Sequence, residues 1–276
     1  MAAKGRTVST GAGFDLDGYL ERVGYRGPRA CTLAVLDAVH EAHVSAIPFE
    51  NLDVLLGRPI RLDPGSLQAK LVAGGRGGYC FEHNSLLAAA LRAMGFSVST
   101  LEARVRPLGA TAVLPRTHMV LAIRLGSQDV LADAGFGGDG PLRTVPLDGT
   151  ESIEPLAGFR VAREDDVYVL RTDVGGAWRD LYAFSRAPAL PVDFEVASHY
   201  TSTHPTSPFV TTLTAQRTTA TARHVLRGRT YTVRTAGGEF TTTLDDVALC
   251  ATIRGILGIA LSAAEILRAF RTTLAS

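Results

Sequence analysis

The chain reads as an α+β protein whose helical and strand parts are segregated along the sequence. Three observations predict this. Apolar residues recur at helical spacing up to about Gly95, they alternate at strand spacing from Phe96 onward, and the last part mixes both periods. No internal repeat or long low-complexity linker interrupts the order. The 276 residues, 46% hydrophobic and 20% charged, suffice for one large domain or two to three small ones.

Met1 to Gly13 is small and polar, lacks the apolar core of a signal peptide, and reads as a disordered lead-in. Asp15-Leu16-Asp17 then opens a short helix through Tyr19, Leu20 and Val23, closed by Gly24. Leu33, Leu36, Val39, His40 and His43 lie at helical spacing and predict a second helix that ends before Pro48. His40 and His43 are one turn apart. With no third ligand nearby they read as surface or capping histidines, not as a metal site. Ile47 to Asp53 is too proline-interrupted for a helix and too polar for a plain strand. It reads as a loop anchored by Phe49 and Leu52, a candidate pocket wall. Asp63-Pro64 opens a third helix through Leu67, Lys70 and Leu71.

After Gly95 the period changes. Phe96 to Val105, Met119 to Leu125, Val130 to Ala132 and Val167 to Leu170 read as strands between glycine- and proline-rich turns. They predict an antiparallel sheet closed into a barrel. Ser202 to Thr221, rich in threonine, serine and proline, reads as a loop-rich crossover. The tail adds strands at Thr230 to Arg234 and Phe240 to Leu244, then helices at Asp246–Ile256 and Ser262–Thr272, the second opened by a Ser262-x-x-Glu265 capping box.

Composition excludes several functions. A net charge of +1 leaves no basic stripe for nucleic acid and no polybasic membrane patch. Val247 to Leu261 is apolar but broken by Arg254, Gly255 and Gly258, so it is a buried helix and not a membrane span. Three cysteines without a C-x-x-C pair point to a reducing cytoplasm and away from a structural zinc site.

Chemistry concentrates at Arg76-Gly77-Gly78-Tyr79-Cys80-Phe81-Glu82-His83-Asn84. The glycines make a close-approach loop that delivers Cys80 to the first turn of a helix, whose free amides favour a thiolate. Arg76 is expected to add to this if it folds back. A thiolate nucleophile needs a base and an orienter. His118, where a strand begins, and Asp133, where the next strand meets Gly135-Phe136-Gly137-Gly138, are the candidates. A hairpin turning at Ser127-Gln128 would set Asp133 on the face of His118, yet about 13 Å from it at the strand rise. Spacing alone leaves the contact unproven.

The same motifs, together with Ile47-Pro48-Phe49-Glu50-Asn51-Leu52 and Ser202-Thr203-His204-Pro205-Thr206-Ser207-Pro208-Phe209, resemble the arylamine N-acetyltransferase family from Phe14 onward. Ala134 and Pro208 stand where relatives often carry other residues. The resemblance implies a helical bundle over 14–97, a β-barrel over 98–210 and an α/β lid over 211–276, around a cysteine-protease-like core. It implies a Cys80–His118–Asp133 triad, acetyl-CoA as donor, no metal, and an arylamine or hydrazine as acceptor. Phe49, Phe136, Gly137, Thr203 and Phe209 match the family's substrate- and CoA-binding positions. Cys31 and Cys250 match nothing in the pattern and read as structural. Oligomeric state stays open, a homodimer included. The same catalytic residues would serve an amide synthase closing an ansamycin-type macrolactam, which stands as the alternative, or a thiol hydrolase.

Overall fold

Asp15 begins the first helix as the sequence predicts, in a computed structural model that describes residues 14–106, 113–173 and 175–273. The expected disordered lead-in over 1–13 lies outside the described residues. The Asp15 carboxylate accepts the Gly18 N–H at 3.0 Å and starts α1 (Leu16–Val23), and Gly24 ends it at φ 75°. Thr32 caps α2 (Leu33–Ala46) in the same way. Tyr19, Leu20 and Val23 pack on Val35, Leu36 and Val39, and on Leu86, Leu87 and Leu91 of α5 (Cys80–Ala93). Each fully buried leucine contributes about 1.5–3 kcal/mol.

Between α2 and α5 the expected loop is partly regular. Phe49–Glu50 forms a short strand, β1, and α3 (Leu52–Leu55) follows at once. The third predicted helix is present as α4 (Pro64–Leu67), capped by Asp63 and continued by a π-helical turn over Gln68–Ala73.

An eight-stranded antiparallel sheet follows, built from β2 (Ser97–Val105), β3 (His118–Leu125), β4 (Gln128–Ala132), β5 (Val145–Pro146), β6 (Ser152–Glu154), β7 (Ala157–Glu164), β8 (Val167–Asp173) and β9 (Trp178–Pro188). Its order is β5-β4-β3-β2-β9-β8-β7-β6. The sheet curls until β5 comes within 8 Å of β7, while the ladder still ends at β5 and β6, so the barrel is nearly closed. Phe159, Val161, Leu170, Tyr182 and Phe184 fill it.

The expected crossover at Ser202 to Thr221 is more ordered than its composition suggests. It holds the end of α6 (Pro191–Thr203), all of α7 (Pro208–Thr211) and β10 (Thr214–Thr218). Threonine suits strands. β10 lies between β1 and β11 (Ala222–Arg227), and it buries Thr214, Ala215, Gln216 and Thr218. With β12 (Thr230–Thr235) and β13 (Gly238–Thr243) these make a second sheet of order β1-β10-β11-β12-β13. Phe49 pairs with Gln216, so the C-terminal sheet is anchored on the N-terminal part. Helices α8 (Asp246–Ala251), continued by a π-turn over Thr252–Ile256, and α9 (Ala263–Thr272) cover it, with Leu249, Ile253, Ile266 and Phe270 packed on Leu52 and Leu55. No helix among the described residues is long and apolar enough to cross a membrane.

Candidate active site

The glycines before Cys80 are demanded by close approach. A Cβ on Gly77 would run into the Pro48 carbonyl oxygen, and one on Gly78 into the Glu82 carboxylate. Gly78 O accepts the Glu50 N–H at 2.8 Å, while Glu82 reaches back to accept the Tyr79 N–H at 3.1 Å. Cys80 thereby enters α5 at its first residue, 4% exposed, with Sγ 3.6 Å from the Thr117 carbonyl oxygen.

Arg76 does not fold back toward the sulfur. Its guanidinium donates to Glu50 at 2.9 and 2.6 Å and to Asp53 at 3.0 Å, and Lys70 bridges Asp53 and Glu82 at 2.8 and 2.7 Å. The reason is local: both carboxylates are buried, and a buried carboxylate needs a cation. The network fixes the loop that carries Cys80. Arg76→Ala strands Glu50 and should cost about 3–5 kcal/mol, read from urea unfolding. A loss under about 1 kcal/mol, the worth of an exposed pair, would remove the network from this role.

The hairpin that carries the other two candidates turns one residue earlier than expected. Leu125 pairs with Gln128 and Leu121 with Ala132, so the turn is Gly126-Ser127, and Gly126 supplies φ 63°. Asp133, one residue past the last pair, falls level with Val120 on the face of His118. Two residues of offset leave about 7 Å of rise. The chain leaves the strand there, and the side chains close the gap: His118 Nε2 donates to Asp133 Oδ2 at 2.7 Å. The Cys80 sulfur lies near enough to the same ring to help hold its charge. Gly135 lies so close beneath that a Cβ there would stand 2.6 Å from the Cys80 Cα.

Asn84, one turn after Cys80, was not singled out from the sequence, yet it organises the carboxylate. Its Nδ2 donates to Asp133 Oδ1 at 2.9 Å and to Met119 O at 2.7 Å, and its Oδ1 accepts the Ala134 N–H at 3.0 Å. The Gly135 N–H also donates to Asp133 Oδ1, at 2.9 Å. Burial works against the Asp133 charge, but the His118 charge and these donors outweigh it and hold the carboxyl below its usual range. Burial likewise opposes charge on His118. Asp133, with help from Cys80, overcomes it and lifts His118 to about 10.

Two aromatic rings pack on His118, and a second aromatic group lies at Phe49 and Phe209. Phe136 stands edge-on to His118 at 5.4 Å, and Tyr182 lies 4.9 Å from the same ring. Phe49 and Phe209 touch at 5.9 Å, with Tyr79 edge-on to Phe209. Gly137, at φ 84°, packs against the Gln216 carboxamide. Phe49, Asp133, Gly137 and Gln216 line a cavity of about 10 Å³, room for about one water. Thr203 is apart from them. It is exposed at the end of α6, on a groove of about 590 Å³ shared with Arg58, Arg61 and His199.

His40 and His43 are neither surface nor capping residues; both are wholly buried. Pro48 O can only accept, so His83 Nε2–H donates to it at 3.1 Å. His43 Nε2–H therefore donates to His83 Nδ1 at 3.0 Å, and Tyr19 O–H to His43 Nδ1 at 2.9 Å. Burial, joined by the Lys70 charge, outweighs the Pro48 contact and holds His83 down to about 4. A folded value below the ordinary 6.5 means that the unfolded chain takes the proton first. Stability is complete above 6.5 and falls toward pH 4, by about 3 kcal/mol for His83. Between pH 7 and 5, wild type should lose more urea resistance than His83→Gln, a comparison that cancels the other titrating groups. Equal losses would exclude His83 as a cause. Among the described residues no group of three or more histidine, cysteine or carboxylate side chains is arranged to hold a metal. Cys31 is exposed, not a core residue.

The N-acetyltransferase family model matches residues 32–266. An arylamine N-acetyltransferase of Mycolicibacterium smegmatis is 44% identical over 81% of this chain and 83% of its own. One of Escherichia coli K12 is 36% identical over 70% and 69%. The solved arylamine N-acetyltransferase of Mycobacterium marinum superposes with a TM-score of 0.89 at 38% identity, covering 94% of this chain and all of that one. A second structure of it holds CoA (TM-score 0.87, 37% identity, 94% and 99% covered).

Proposed function

The chain belongs to the arylamine N-acetyltransferase family, and on that premise we propose that it moves acetyl from acetyl-CoA to an arylamine or arylhydrazine through a thioester on Cys80. The observation that carries this is the buried His118–Asp133 hydrogen bond, with the Cys80 sulfur close enough to the ring to favour its charge. A charged His118 is the counter-ion a thiolate needs. The Cys80 sulfur attacks the acetyl carbonyl of acetyl-CoA, the bond to the CoA sulfur breaks, and His118 returns a proton to it. The amine then attacks the new thioester, His118 takes a proton from the amine nitrogen, and the Cys80 sulfur leaves. Asp133 keeps the imidazole in one orientation and stabilises its charge throughout.

Phe49, Phe136 and Phe209 offer flat apolar surface to an aryl ring. An arylamine is uncharged at neutral pH and attacks readily, whereas an alkyl amine is protonated there and does not. Thr203, exposed on a separate groove, is left with a contact to the outer part of CoA. The three free cysteines suit a reducing compartment, and we place the enzyme in the cytoplasm.

Intact-protein mass after mixing with acetyl-CoA and no amine tests the reading. One acetyl adduct is expected, discharged by an added arylamine. No adduct on protein whose Cys80 still alkylates would overturn acetyl-CoA as the donor.

A further inference from the structure

His40 meets the loop that carries Asp133 at both of its ends. Its Nδ1 lies 2.8 Å from Leu142 O, and its Nε2 accepts the Asp133 N–H at 3.0 Å. The carbonyl can only accept and the amide can only donate, so one tautomer satisfies both: a neutral ring with its proton on Nδ1. The ring is wholly buried, so water cannot replace either partner.

The middle of the same loop is held by other groups. Gln216 accepts the Gly138 N–H, and Arg223 donates to Gly138 O at 2.6 Å and Gly140 O at 2.9 Å. Asn84 and Gly135 turn the Asp133 carboxylate. Among the described residues, His40 alone hydrogen-bonds to the Asp133 amide. We propose that His40 is a positioning residue, whose neutral imidazole accepts the Asp133 N–H at Nε2 and so sets where the carboxylate meets His118. This rests on the reading of Asp133 as the group that orients His118.

Without that acceptor the Asp133 amide is buried and unpaired, which the backbone relieves only by moving. A displacement of about 1 Å at such a contact costs up to a hundredfold in rate. Two substitutions separate the two bonds. In His40→Asn the amide reaches only as far as Nδ1, keeping a donor for Leu142 O and losing the acceptor for Asp133. In His40→Gln an amide oxygen reaches the place of Nε2.

The test follows alkylation of Cys80 by iodoacetamide across pH in the full chain, by intact mass, beside the rate of acetylation by acetyl-CoA. His40→Asn should acetylate roughly tenfold more slowly, with alkylation displaced about one unit to higher pH. His40→Gln should follow wild type on both. A folded His40→Asn with the wild-type alkylation profile overturns the proposal. So does a folded His40→Gln with a displaced profile, which decides alone if the asparagine variant does not fold. Alkylation needs no acetyl donor, so wild-type protein that alkylates but never acetylates would indict the acetyltransferase reading and leave this one standing.

Discussion

Cys80→Ser should lower acetyl transfer by roughly a thousandfold or more while leaving the fold intact. The site admits serine: the residue is 4% exposed, and a hydroxyl there can donate to the Thr117 carbonyl oxygen as the thiol does. The chemistry does not. His118, lifted to about 10 chiefly by Asp133 against its burial, carries its proton at neutral pH. That ring can act as counter-ion to a thiolate, but it cannot remove a proton from a hydroxyl. Initial rates with saturating acetyl-CoA and an arylamine, beside a thermal melt, decide this. A folded serine variant within tenfold of wild type would mean that the nucleophile lies elsewhere.

Helices with strong local signals were legible in the sequence, down to Asp15, Gly24, Asp63 and the Ser262 cap. What escaped was set by partners distant in sequence. Phe49-Glu50 becomes a strand only because β10 arrives beside it. In β9, Leu181 to Phe184 are buried in succession and the register with β8 shifts at Leu170, so no alternation shows. Helix α6 buries only Phe194, Ser198 and Thr201 of its thirteen residues, too few to mark a face.

The site divides the same way. Cys80, His118 and Asp133 were chosen by residue type and local context, and parity placed the last two on one face. The missing distance lay in a one-residue difference of turn, which glycine at 126 decides by supplying a positive φ. Arg76 and His40 were misread for one reason. Their partners Glu50, Asp53, Leu142 and the Asp133 amide come from other elements, and burial cannot be read from a charged or polar letter alone.

Asp133→Asn removes a charge and also reverses a hydrogen bond. The carboxylate accepts three N–H groups, two at Oδ1 from Asn84 and Gly135 and one at Oδ2 from His118. An asparagine that keeps its oxygen on Asn84 and Gly135 must turn its NH2 toward His118 Nε2. The ring then presents a lone pair there, and in the neutral form its proton moves to the nitrogen facing Cys80, where it can no longer accept one. The loss of charge acts in the same direction, because burial alone drags His118 down. The two effects together should lower kcat/KM by about a thousand- to ten-thousandfold, the range that tautomer reversal produces in a serine–histidine–aspartate site. Alkylation of Cys80 at neutral pH should slow with it, since the counter-ion is gone. If Asp133→Asn kept its rate within tenfold of wild type, the carboxylate would be a structural bridge between Asn84 and His118, and the orientation of His118 would have to come from the rings of Phe136 and Tyr182 that pack against it.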